Sequence, residues 1–208
     1  MSTKYIVNNV TGQTITGDLT INGNVTITGT TNTRPYKVYT ALLTQSGGDG
    51  NAFIGPGELT IGVTYMINDS FLGQDFTNVG APNNDVGTWF VATGTIPNSW
   101  GVDPENNLIY YPGAPVVTVL ENTIGNIWFT YADIGNYTVN SDGLFTLNKS
   151  IGICMPNQYV ESASDLYNYQ IFNSGVNDFQ LNSSYNYDVS DSIFGIYSEN
   201  SIEIRVYN

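Results

Sequence analysis

An all-β fold is what this chain of 208 residues predicts, on three observations. Near its start a six-residue unit opening on glycine repeats, with apolar residues two apart. Beyond it, short β-branched and aromatic runs recur about every 8–12 residues between clusters of Gly, Asn and Pro. No apolar periodicity near 3.6 residues is sustained, so no amphipathic helix competes for the chain.

The repeat reads Gly17-Asp-Leu-Thr-Ile-Asn22 and then Gly23-Asn-Val-Thr-Ile-Thr28, with a shortened copy, Gly12-Gln-Thr-Ile-Thr16, before it. Leu19 and Ile21 share one face of an extended strand, as do Val25 and Ile27, while Thr20 and Thr26 face away. Each glycine, followed by a turn-prone residue, lets the strand turn or bulge. One apolar pair per unit buries too little to offset ~1–2 kcal/mol of backbone entropy per ordered residue. Something must therefore cover the stripe. Either it packs as a hairpin on its own domain, or identical stripes from neighbouring copies meet on a symmetry axis. Short glycine-punctuated units beside a larger domain favour the second, an intertwined stalk over residues 11–33 with Ile15, Leu19, Ile21, Val25 and Ile27 inside.

Thr31 to Pro35 reads as a polar linker. The remainder, 34–208, is predicted as a β-sandwich or barrel, jelly-roll-like, with strands over Tyr36 to Leu42, Val63 to Ile67, Thr88 to Ala92 and Val116 to Leu120. Further strands are expected over Ile127 to Tyr131, Tyr137 to Val139, Leu144 to Leu147 and Ile202 to Tyr207, and a short helix fits Ser162 to Leu166.

Composition removes several classes of function. Five Lys and Arg against 18 Asp and Glu give a net charge of -13, so phosphate-tracking nucleic-acid binding and attraction to an anionic membrane are not expected. The absence of His removes imidazole bases and His-ligated metals, and no cofactor is expected. Cys154, the one cysteine, sits in the apolar run Ile151 to Met155 and reads as a buried, inert thiol. No apolar stretch approaches the ~18–20 residues of a membrane helix, and the first residues lack the apolar region of an export signal.

Three groups of residues offer chemistry. The carboxylate pairs Asp75 with Asp85, Asp103 with Glu105, and Asp188 with Asp191 are available for glycoside hydrolysis, but among 18 acids a chance pair is the simpler account. Asn83, Asn84, Asp85, Asp178, Asp188 and Asp191 could ligate calcium, yet no loop has a regular ligand spacing, and turn chemistry explains them equally. Trp100, Tyr110 and Tyr111 flank the polar stretch Gly101 to Asn107, and a Tyr-rich region runs from Tyr159 through Tyr167, Tyr169, Phe172, Tyr185 and Tyr187 to Tyr197. Aromatic faces beside amides and carboxylates suit a glycan or a protein surface, the alternative being packing in a sandwich or subunit interface. Trp89 and Trp128, within strong strand patterns, are expected in the core.

The run from Thr14 to Thr30 resembles segments of the virion fibre and appendage proteins of tailed bacteriophages, where such repeats build trimeric β-stalks. Tyr36 to Gly47, continued by Pro115 to Gly125, is similar to the opening of a domain frequent among phage structural proteins. Asp75 to Pro82 and Phe90 to Gly94 resemble a second appendage segment, inserted into the first over roughly residues 50–113. The resemblance implies a homotrimer, with residues 1–10 attaching to the capsid or another virion protein and the head meeting a host-surface glycan or protein. It implies a non-enzymatic structural protein on the virion surface, a short head fibre in preference to a tail fibre or baseplate receptor-binding protein. Extended, residues 12–30 span at most about 65 Å, which suits a short fibre. A carbohydrate-binding module or adhesin is the alternative from another class.

Overall fold

The structure, a computed structural model, describes residues 34–45, 51–155, 167–185, 188–189 and 200–207. The hexads with Ile15, Leu19, Ile21, Val25 and Ile27, the segment 1–10 and the helix expected at Ser162 lie outside the described residues. The chain divides into two compact units, Met1–Thr33 and Arg34–Asn208. The second is all-β.

Its frame is a sandwich of two antiparallel sheets. One runs in the order β11 (Ser150–Met155), β15 (Asn200–Tyr207), β1 (Tyr36–Thr44), β8 (Val116–Asn122). The other runs β12 (Tyr167–Asn173), β13 (Asp178–Tyr185), β10 (Asn136–Ser141), β9 (Ile127–Asp133), with the short β14 (Asp188–Val189) on β13. Alternation places the core. In β15, Asn200, Ile202, Ile204 and Val206 face inward with half-buried residues between them; Tyr137, Val139 and Ser141 do the same in β10. Phe129, Phe145, Phe179 and Leu181 complete the filling, and Phe145 meets Phe179 edge-on with ring centroids 4.8 Å apart. Each fully buried side chain of this size stabilises by roughly 1.5–3 kcal/mol relative to exposure.

Between β1 and β8, which pair with each other, the chain leaves the sandwich and builds sheets of its own. A four-stranded sheet runs β2 (Ala52–Ile54), β7 (Leu108–Tyr110), β3 (Thr64–Ile67), β5 (Trp89–Val91), and β4 (Gln74–Asp75) pairs with β6 (Ser99–Trp100). This segment has a separate core of Leu59, Tyr65, Ile67, Phe76, Val79, Phe90 and Leu108.

The two cores are joined through backbone and rings. Gly62 O accepts from Val117 N at 2.8 Å, Thr64 Oγ1 accepts from Phe129 N at 3.2 Å, and Asn126 Nδ2 donates to Trp89 O at 2.8 Å. Val91 of β5 belongs to the sandwich core. At the start of the unit, Arg34 clasps both carboxylate oxygens of Glu121 at 2.9 and 2.8 Å.

One expected strand is corrected. Leu144 to Leu147 does not form a strand but a loop leading into a turn. Gly143 (φ 71°) and Asn148 (φ 61°) reverse the backbone on either side, and Ser141 Oγ accepts from Leu144 N. The apolar spacing there reflects one anchor, Phe145, which is fully buried while Thr146 and Leu147 are exposed. Strands β12 and β13 run through the Tyr- and Asn-rich region that the sequence offered as a contact surface.

Candidate functional site

The sequence singled out Trp100, Tyr110 and Tyr111 together; the structure separates them. Tyr110 ends β7 and pairs in register with Tyr65 of β3 and Ala52 of β2. Its ring lies 5.8 Å from that of Tyr65, and both line a cleft of about 350 Å³ with Tyr111, Glu58, Thr60 and Val116. Tyr65 is held by the Thr60 N–H, which donates to its hydroxyl at 3.0 Å, and burial raises its ionisation above that of an ordinary tyrosine. A carboxylate, a hydroxyl and three tyrosine rings thus border one opening.

Trp100 is not among the residues lining that cleft. Gly101 turns the chain at φ 89°, and the indole stands edge-on against Phe76, with centroids 5.3 Å apart and planes at 86°. The Trp100 carbonyl accepts from Asn107 Nδ2 at 3.0 Å. It serves the inserted core.

Trp89, which the sequence assigned to the core, does pack against the sandwich core. Trp89 stacks on Tyr111 at 5.6 Å and 26°, and its other neighbour is Trp128 at 6.3 Å and 8°. Trp128 is buried, whereas Trp89 and Tyr111 are half-buried. The row Trp128–Trp89–Tyr111 therefore runs from the sandwich to the edge of the cleft. Strand alternation around Trp89 signalled its core packing but not its stacking on Tyr111, which lies on a distant stretch of chain. Glu58 and Thr60, in a stretch without repeating pattern, carried no signal.

Asp75 serves local structure. Asp75 accepts from Thr77 Oγ1 at 2.6 Å, Thr77 N at 3.0 Å and Asn98 Nδ2 at 2.9 Å, and these bonds hold its carboxyl well below the ordinary carboxylate range. Asn83 Oδ1 accepts from Asp85 N and from the Thr88 hydroxyl, closing a turn. Among the described residues no three His, Cys, Asp or Glu side chains come together as a metal site. Asp103 and Glu105 line a separate recess of about 450 Å³ with Asp69 and Asn106. Asp191, Tyr159, Tyr187 and Tyr197 lie outside the described residues; Tyr169 packs on the sandwich core and Phe172 is about half exposed. Cys154 is half-buried against the same core, and burial pushes its thiol up to about 12.

No family model, curated protein or solved structure matches the chain. Among the described residues, no helix is long and apolar enough to cross a membrane.

Proposed function

We propose that this chain is a structural and interaction protein of a bacteriophage particle, a short trimeric fibre without enzymatic activity. Residues 1–10 attach it to the capsid or another virion protein. The hexads over 11–33 trimerise through Ile15, Leu19, Ile21, Val25 and Ile27, and the β-sandwich head projects from the particle surface. The Tyr110–Tyr111 cleft, with Glu58 beside it, is the head's contact for a host-surface glycan or protein.

The observation that carries this reading is the pair of error-free hexads within Met1–Thr33, a unit distinct from the head. Their apolar stripe requires a cover, and identical stripes meeting on an axis supply it without a dense column of like charge, because Asp18 is the sole charged residue between Val10 and Thr33. The acid is concentrated in the head, where it favours solubility.

Light scattering tests the assembly: a mass of about 68 kDa, three chains of 22.7 kDa, is expected. The double substitution Ile21→Asp, Ile27→Asp should return a 22.7 kDa monomer whose head keeps its near-ultraviolet dichroism. A monomeric unsubstituted chain at micromolar concentration overturns the fibre. Antibodies to the head should label the particle surface in electron micrographs, and unlabelled particles overturn the placement.

A further inference from the structure

The Tyr110–Tyr111 cleft is specific both in what it offers and in what it lacks. Glu58 is the carboxylate in its wall, and among the described residues no Lys or Arg lines it. Nor does any Asn or Gln, the amides that answer paired sugar hydroxyls. Ile54, Val63 and Val116 supply aliphatic wall, and the three tyrosines supply rings. Its volume of about 350 Å³ is at the small end of the ~300–1,000 Å³ of ligand sites, enough for one compact group.

The rings are held before any ligand arrives. Tyr65 and Tyr110 pair in register across β3 and β7, with centroids 5.8 Å apart and planes tilted by 48°, so they make a corner and not a closed stack. The Thr60 N–H fixes the Tyr65 hydroxyl at 3.0 Å. Trp89, which does not line the cleft, stacks on Tyr111 and backs it. Tyr110 and Tyr111 are half-buried, so both reach the opening, and Glu58 beside them is exposed.

Aromatic rings attract a cation that lies within ~6 Å of their centroids, and a group seated in the corner lies within that reach of two rings at once. Charge complementarity points the same way, since a net charge of -13 draws cations and repels anions. A primary ammonium carries three donors and a tight hydration shell, which Glu58 and the Thr60 hydroxyl replace only in part. A quaternary ammonium has no donor to satisfy and presents methyl groups to rings and aliphatic wall alike. We propose that this cleft binds a quaternary ammonium group of the trimethylammonium kind, its methyls against the tyrosine rings and its charge answered by Glu58. The inference rests on the reading of the cleft as the head's contact, and names the group that a host-surface glycan or protein presents there.

The test titrates the full chain with choline, with dimethylbutanol, in which tert-butyl replaces trimethylammonium, and with ethanolamine, a primary ammonium. Choline should give saturable shifts of the Val63 and Val116 methyl resonances. Dimethylbutanol and ethanolamine should bind roughly tenfold more weakly. Tyr111→Leu should lose roughly tenfold in choline affinity, and Tyr111→Phe should keep it. Glu58→Gln, at an exposed position that folding tolerates, should lose about threefold, a difference that added salt erases. No saturable shift with choline, or equal binding of dimethylbutanol, overturns the proposal, and equal binding of ethanolamine overturns the preference for a methylated cation. Choline affinity unchanged in both Tyr111→Leu and Glu58→Gln overturns the location. The contact itself is tested apart, on an array of glycans and peptides with and without trimethylammonium groups. Capture of uncharged glycans, lost in Tyr111→Leu, by a chain that ignores choline removes the cation and leaves the contact standing. Choline binding without capture on the array removes the contact and leaves the cation site.

Discussion

Trp89 of β5 and Trp128 of β9 lie face to face, ring centroids 6.3 Å apart and planes within 8° of parallel. One comes from the inserted sheet and the other from the sandwich, so their contact is part of the joint between two cores. Trp89→Ala should cost about 2–4 kcal/mol, at or below the range for a fully enclosed tryptophan because Trp89 is half-buried. Trp89→Phe, which keeps a stacked ring, should cost roughly 1 kcal/mol. Urea midpoints of the two variants measure this. Equal losses would mean that the ring contact contributes nothing beyond volume.

The same joint depends on a glycine. Gly62 has φ +85°, and a Cβ there would stand 2.5 Å from the backbone oxygen of Val117. Gly62 also donates to Ala92 O and accepts from Val117 N, each at 2.8 Å, so it cannot retreat without breaking a bond. Gly62→Ala should destabilise by roughly 3 kcal/mol or more, strain and collision together. Gly73 is the control: its φ is +79° but a Cβ would meet nothing within 4 Å, so Gly73→Ala should show only the conformational part, about 1–2 kcal/mol. Similar losses at both positions, read from denaturation midpoints, would dismiss the close approach at Val117.

Seven of the eight strands expected from local pattern overlap observed ones, and the eighth shows why patterns fail. Ile202 to Tyr207 alternates because β15 lies inside a sheet with one face on the core. Leu144 to Leu147 has comparable apolar content, but Gly143 and Asn148 at positive φ make it a loop and turn. Strands β12 and β13 went unseen because Asn, Gln and Ser intersperse Phe172, Phe179 and Leu181, so composition masked the alternation. The pairing of β1 with β8 across the whole inserted segment is non-local, and no window of residues contains it. At the cleft, Tyr110 and Tyr111 were legible as aromatics beside a polar stretch. The departure of Trp100 toward Phe76 depends on the turn at Gly101, and the stacking of Trp89 on Tyr111 depends on sheet order.

Asp75 sets an acid limit. Hydrogen bonds from Thr77, Asn98 and Asn84 favour its charged form, so its folded pKa lies below the unfolded value of 3.8. A depressed carboxyl contributes stability above the unfolded pKa and loses it as pH falls toward the folded one. The difference in urea midpoint between the wild type and Asp75→Asn should be constant from pH 7 to about 5 and shrink below about pH 4. The group is exposed, so salt should reduce the effect. A difference that persists unchanged to pH 2 would mean that the carboxylate charge is not what these donors recognise.

Cys154 carries the last prediction. It pairs with Ile202 across β11 and β15 and packs against the sandwich core, which pushes its thiol up to about 12. The residue as a whole is only half-buried. The pKa responds to the surroundings of the sulfur, so burial of the thiol outweighs exposure of the rest of the residue. At pH 8 a thiol of that pKa is about one part in ten thousand thiolate, against roughly a quarter for an ordinary cysteine. Disulfide exchange with an aromatic disulfide reagent should therefore run on the order of a hundredfold slower than with a free thiol, the greater nucleophilicity of a high-pKa thiolate offsetting part of the loss. The pH profile separates ionisation from steric access: the rate should rise about tenfold per pH unit from 8 to 10 without levelling. Levelling near pH 9 would show a solvated thiol, and the sulfur would then have to face outward from β11.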